Sequence, residues 1–116
     1  MPTIDELKAL KDPAVVIADD KGLIVFINAA FERMFGWSAA ESVGQPLSMI
    51  IPPALRHAHH LGFSRFQSTG KGNVVGRALN LRSIDKAGRE FDAEHFIIAE
   101  KTGEGWRFGA TLRQLG

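Results

Sequence analysis

Ala14-Val15-Val16-Ile17-Ala18-Asp19-Asp20-Lys21-Gly22-Leu23-Ile24-Val25-Phe26-Ile27 is the stretch on which the fold turns. Two apolar runs rich in β-branched side chains flank a polar tetrapeptide ending in glycine. That is the pattern of a β-hairpin whose strands are largely buried. Ala14–Ala18 is expected as the first strand and Leu23–Ile27 as its returning partner. Upstream, Thr3 and Glu6 have capping-box spacing, and Ile4, Leu7 and Leu10 give a short amphipathic helix that Pro13 stops. Downstream, Asn28 caps a helix over Ala29–Phe35, which Gly36 closes. Ser38 and Glu41 open another short helix, closed by Gly44.

Residues 45–53 are irregular, with room for one turn around Leu47–Ile50. Pro53 suits the first turn of a longer helix, Ala54–Thr69, ended by Gly70. The remainder is extended. Val74–Ile84 and Arg89–Glu100 flank the turn Asp85-Lys86-Ala87-Gly88, and Lys101–Gly105 turns into a last strand, Trp106–Leu112. The order predicts an α+β fold: a five-stranded antiparallel sheet with short helices and one longer helix packed on one face. Any ligand pocket then lies between the inner face of the sheet and the longer helix. If nothing covers Ile4, Leu7 and Leu10, their apolar stripe predicts a homodimer.

Composition bounds the function. At 116 residues the chain is expected to be one domain, with residues 1–12 as an N-terminal helix and 13–116 as the core. Apolar residues make up 45% and charged residues 23%, as in an ordinary globular protein rather than a disordered one. A formal net charge of +1 gives no electrostatic case for a nucleic-acid or membrane partner. The absence of cysteine excludes disulfide frameworks, thiolate metal sites, cysteine nucleophiles and cysteinyl photochemistry. The apolar runs are too short to span a bilayer and no secretory leader is seen, so a soluble cytoplasmic domain is expected. No nucleophile-elbow, metal or phosphate-cradling motif is present, and no enzyme activity is expected.

The sequence resembles a PAS domain over essentially its whole length. The likeness is carried by residues 19–28, by Ala30-Phe31-Glu32-Arg33-Met34-Phe35-Gly36-Trp37 and by Glu41-Ser42-Val43-Gly44-Gln45. It continues through Ile51-Pro52 and Asp85-Lys86-Ala87-Gly88-Arg89-Glu90-Phe91. The resemblance implies a sensory or dimerisation module joined to an output domain such as a kinase, cyclase, phosphodiesterase or regulator. Residues 55–65 look like the corresponding helix of the haem-binding PAS oxygen sensors, in which a histidine binds the haem iron, and alignment puts that histidine at His59. The implied ligand is b-type haem, with a diatomic gas or a redox state as the signal. Non-covalent flavin, or no cofactor in a relay module, are the alternatives.

Helical periodicity examines the same residue independently. With about 100° per residue, Ala58, His59, Gly62, Phe63 and Phe66 fall within about 80° of Leu55, whereas His57 and His60 point away. An imidazole on that apolar face needs a partner, either a backbone carbonyl or a metal. Strand alternation puts Phe91, Ala93, His95 and Ile97 on one face. His95 therefore either faces the pocket or reaches solvent at a strand edge. Aligned with the sensors it falls at an apolar distal-pocket position, where it would act as a sixth iron ligand or as a hydrogen-bond donor to a bound gas.

Arg77 shares strand parity with Leu79 and Leu81, so it either meets an anion in the pocket or snorkels out at the mouth. The sensors' oxygen-contacting arginine aligns with Leu79 instead. Arg65 and Asn73 align on or near propionate-contacting positions. Gly62 removes bulk one turn from His59, which suits either a flat ring or close packing against the sheet.

Overall fold

The hairpin forms where the sequence places it. The structure, a computed structural model, describes residues 2–70 and 75–115. Its strands are β1 (Ala14–Ala18), β2 (Ile24–Ile27), β3 (Ala78–Ile84), β4 (Glu90–Thr102) and β5 (Gly105–Gln114). They make one antiparallel sheet in the order β2-β1-β5-β4-β3. β1 lies between β2 and β5 and is buried at every position, which is why it reads as an unbroken apolar run.

The helices are α1 (Ile4–Lys8), α2 (Ala29–Phe35), α3 (Ala39–Ser42) and α4 (Arg56–Thr69). Their caps are those expected: Thr3 with Glu6 and Ser38 with Glu41 form capping boxes, and Asn28 Oδ1 accepts from Phe31 N. Gly70 ends α4 with φ +68°, a conformation any side chain would strain. Pro53 does not open α4 directly. The pair Pro52-Pro53 leads into a 3₁₀ turn, Pro53–Leu55, and the α-helix begins at Arg56.

Two expectations are corrected. The stripe Ile4, Leu7, Leu10 is not left uncovered. Ile4 and Leu7 are buried against Val15, Ile17 and Ile98 on the sheet face opposite α4, and only Leu10 is exposed. Gly109 in β5 makes this possible, because a Cβ there would lie 3.0 Å from Leu7 Cδ1. The stripe itself therefore gives no ground for a homodimer, since the chain covers Ile4 and Leu7 with its own sheet. Second, the strand expected over Val74–Ile84 begins only at Ala78. Gly76, at φ +80°, turns the chain out of the extended region, and Val75 makes an isolated parallel bridge to Ile97.

Among the described residues, no helix is long and apolar enough to cross a membrane.

Candidate functional site

A cavity of about 880 Å³ lies between α4 and the inner face of the sheet. Its origin is steric. The C-terminal half of α4 is pinned to the sheet by aromatic packing, with Phe63 and Phe66 ring centroids 4.9 and 5.4 Å from Phe108, and Phe66 also 4.9 Å from Trp106. Its first turn is pinned by Arg56, whose Nε donates to Ser48 O and Ile51 O at 3.0 and 2.9 Å. Between those anchors α4 carries the small residues Ala58 and Gly62, opposite Ala18 and Ala110 of the sheet. Small residues on both walls leave the gap. Nothing lies within 4 Å of where a Gly62 Cβ would sit, so close packing against the sheet does not explain that glycine.

Two histidines face this space from opposite walls. His59, on α4, is half-buried and lines the cavity, whereas His57 and His60 are exposed. Its Nδ1 is buried without a hydrogen-bond partner among the described residues, a state that costs about 1–3 kcal/mol. Burial, reinforced by the neighbouring His60, pushes the His59 imidazole below the ordinary histidine range. His95 lies in β4, paired with Leu79 of β3 on one side and Leu112 of β5 on the other. It is thus interior to the sheet and buried, and the strand-edge alternative fails. Its Nδ1 lies 3.2 Å from Ala93 O. Burial lowers its pKa, partly opposed by that carbonyl. Both rings are held towards the neutral form, which is the form that ligates metals.

Phe63 and Ile97 line the cavity, as does Arg65, which remains exposed. Arg77 does not. It falls in the bend before β3 and is exposed, so the strand parity that would have turned it inward never applies. Leu79 is beside His95 on the same face of the sheet but outside the cavity lining. Asn73 lies outside the described residues. Sequence reasoning missed Ser83, a cavity residue only 1% exposed whose Oγ has no hydrogen-bond partner among the described residues. Its parity with Leu81 was the available signal. Arg56 was missed too, because its backbone acceptors are set by a loop rather than by a motif. No group of three or more His, Asp or Glu side chains able to hold a bare metal ion occurs among the described residues.

Comparison with known proteins is consistent with this architecture. The chain is 31% identical over 103 residues to an uncharacterized protein of Azorhizobium caulinodans, covering 88% of this chain and 14% of that one. It is 33% identical over 92 residues to the sensor protein FixL of Bradyrhizobium diazoefficiens, covering 79% and 18%. It is 28% identical over 90 residues to the oxygen sensor protein DosP of Escherichia coli, covering 78% and 11%. The chain thus spans less than a fifth of each relative's length.

Among solved structures, a PAS domain from Colwellia psychrerythraea superposes with TM-score 0.71 at 20% identity, covering 88% of this chain and 85% of that one. A LOV protein of Rhodobacter sphaeroides does so with TM-score 0.65 at 18% identity, covering 89% and 59%. At those identities the likeness concerns the fold alone. The family model of the PAS fold matches residues 7–94, and the chain belongs to the PAS family of sensory domains.

Proposed function

We propose that this PAS domain binds b-type haem non-covalently, that His59 would hold the iron, and that the domain reports a diatomic gas or a redox state. The observation that carries the reading is the pair of neutral-leaning histidines on facing walls of one mainly apolar cavity. The residues fit the group. His59 has a ring nitrogen without a partner among the described residues, the space before Gly62 is open, and the volume is near the upper end of the roughly 300–1,000 Å³ usual for ligand pockets. The resemblance to haem-binding oxygen sensors, and the similarity to the sensor protein FixL and the oxygen sensor protein DosP, point the same way.

When bound, the iron supplies a coordination position at which a small ligand or an electron can be registered. The chain does the rest. His59 anchors from α4, and the aromatic cluster around Phe108 holds α4 at a set distance from the sheet. The mainly apolar lining suits an apolar ligand face, and exposed Arg65 at the rim is suited to pair with a carboxylate edge of the ligand. In this reading the domain is the sensing part of a longer signalling protein, and the gas, output domain and any homodimer belong to that protein.

Reconstitution with haemin tests it. The wild type is expected to develop a Soret band and His59→Ala to lose it or to bind haem far more weakly. No uptake by the wild type, or an unchanged spectrum in His59→Ala, refutes the assignment. A yellow flavin spectrum from the purified protein, or no cofactor at all, would favour non-covalent flavin or a cofactor-free relay module.

A further inference from the structure

We infer that His95 presents an unprotonated Nε2 to the cavity, and so serves as a second iron ligand rather than as a hydrogen-bond donor to a bound gas. The inference rests on the haem reading above and adds what His95 does in it. A carbonyl oxygen only accepts hydrogen bonds, so the 3.2 Å contact between His95 Nδ1 and Ala93 O requires the proton to sit on Nδ1. A neutral imidazole carries one N–H, and with Nδ1 protonated Nε2 holds only a lone pair.

A lone pair cannot donate to a bound gas, but it can ligate. An N–H turned back to a backbone carbonyl is also the usual second contact of a metal-bound histidine, because it fixes the tautomer and raises the basicity of the other nitrogen.

Two features keep the ring in this state. β4 is paired on both sides at His95, with Leu79 and Leu112 as register partners, so the strand cannot rotate the side chain away without breaking two ladders. Its neighbours along the strand on the same face, Ala93 and Ile97, and its register partners Leu79 and Leu112 offer no side-chain hydrogen-bonding group that would favour the other tautomer. Arg77, the donor the sequence suggested for this wall, is out in the bend before β3.

Two measurements test the inference. In the first, haem-loaded wild type, His95→Ala and His95→Leu are compared by absorption and electron paramagnetic resonance. The wild type is expected to be six-coordinate and low-spin, both variants to lose the low-spin signature while keeping their Soret band, and added imidazole to restore it in His95→Ala. A high-spin wild type, or variants that stay low-spin, overturns the inference while leaving the His59 assignment standing. Absence of any Soret band in the wild type overturns the haem reading itself.

The second measurement uses the ligand-free protein, so it does not depend on haem. Long-range ¹H–¹⁵N correlation spectra are expected to show His95 as the Nδ1–H tautomer. The Nε2–H form would overturn the argument at its first step.

Discussion

Asn28 is the residue whose loss should do most damage for its size. Its side chain joins three segments. Oδ1 accepts from Val15 N at 2.9 Å and Phe31 N at 3.0 Å, while Nδ2 donates to Pro13 O at 3.0 Å and Leu10 O at 3.2 Å. Asn28→Ala removes an N-cap, worth about 1 kcal/mol, and leaves the buried Val15 amide without its side-chain acceptor, at a further 1–3 kcal/mol or so. The two released carbonyls lie nearer the surface and add less. A loss of about 2–5 kcal/mol is expected from a domain of this length, whose whole stability is roughly 6–17 kcal/mol.

In urea, with a slope of about 2 kcal/mol/M, the midpoint should fall by roughly 1–2.5 M at unchanged slope. Asn28→Asp separates the two halves of the bracket. It keeps both acceptor bonds and loses both donations, so it is expected to cost less than alanine. An Asn28→Ala midpoint within about 0.3 M of wild type would refute the reasoning, since the Val15 amide would then have found another partner. Asn28→Asp proving as costly as alanine would show that the donations to Leu10 and Pro13, which both variants lose, outweigh the cap.

Burial lowers the pKa of both His59 and His95 in the folded protein, whereas an unfolded histidine titrates near 6.5. Below that pH the unfolded chain binds more protons, so the stability of the ligand-free domain should fall as the pH drops from about 6.5 towards the folded values. Urea midpoints measured from pH 7.5 to 5 check this: His95→Leu should flatten the slope, and a wild-type midpoint that does not move would sink the assignment. Leu7→Ala, at a residue 2% exposed on the sheet-facing side of α1, is expected to free that helix from the sheet. Hydrogen exchange should show lost protection at the α1 amides with β1 and β5 still protected; unchanged α1 protection would mean that Ile4 alone holds it.

Much of the architecture was legible because short-range chemistry decides it. The capping boxes at Thr3 and Ser38, the Asn28 cap and the glycines at 36 and 70 act within a few residues, and they appear where the pattern predicts. The apolar run of β1 and the alternation of β4 gave both the sheet and the inward face of His95. Periodicity on α4 likewise separated His59 from His57 and His60.

What the sequence alone determined, then, is element order, sheet class and the two histidines that share an interior. Tertiary structure decided the rest. Arg77 has the right parity for the pocket, yet Gly76 breaks the strand just before it, and parity has meaning only where the backbone is extended. Ile4 and Leu7 carry the same pattern whether a partner or their own sheet covers them. Gly109, about a hundred residues away, makes the outer face shallow enough for α1 to dock. The cavity exists because small residues on α4 and on the sheet face one another across aromatic pins. No local pattern encodes that coincidence, since the distance between a helix and a sheet depends on every side chain packed between them.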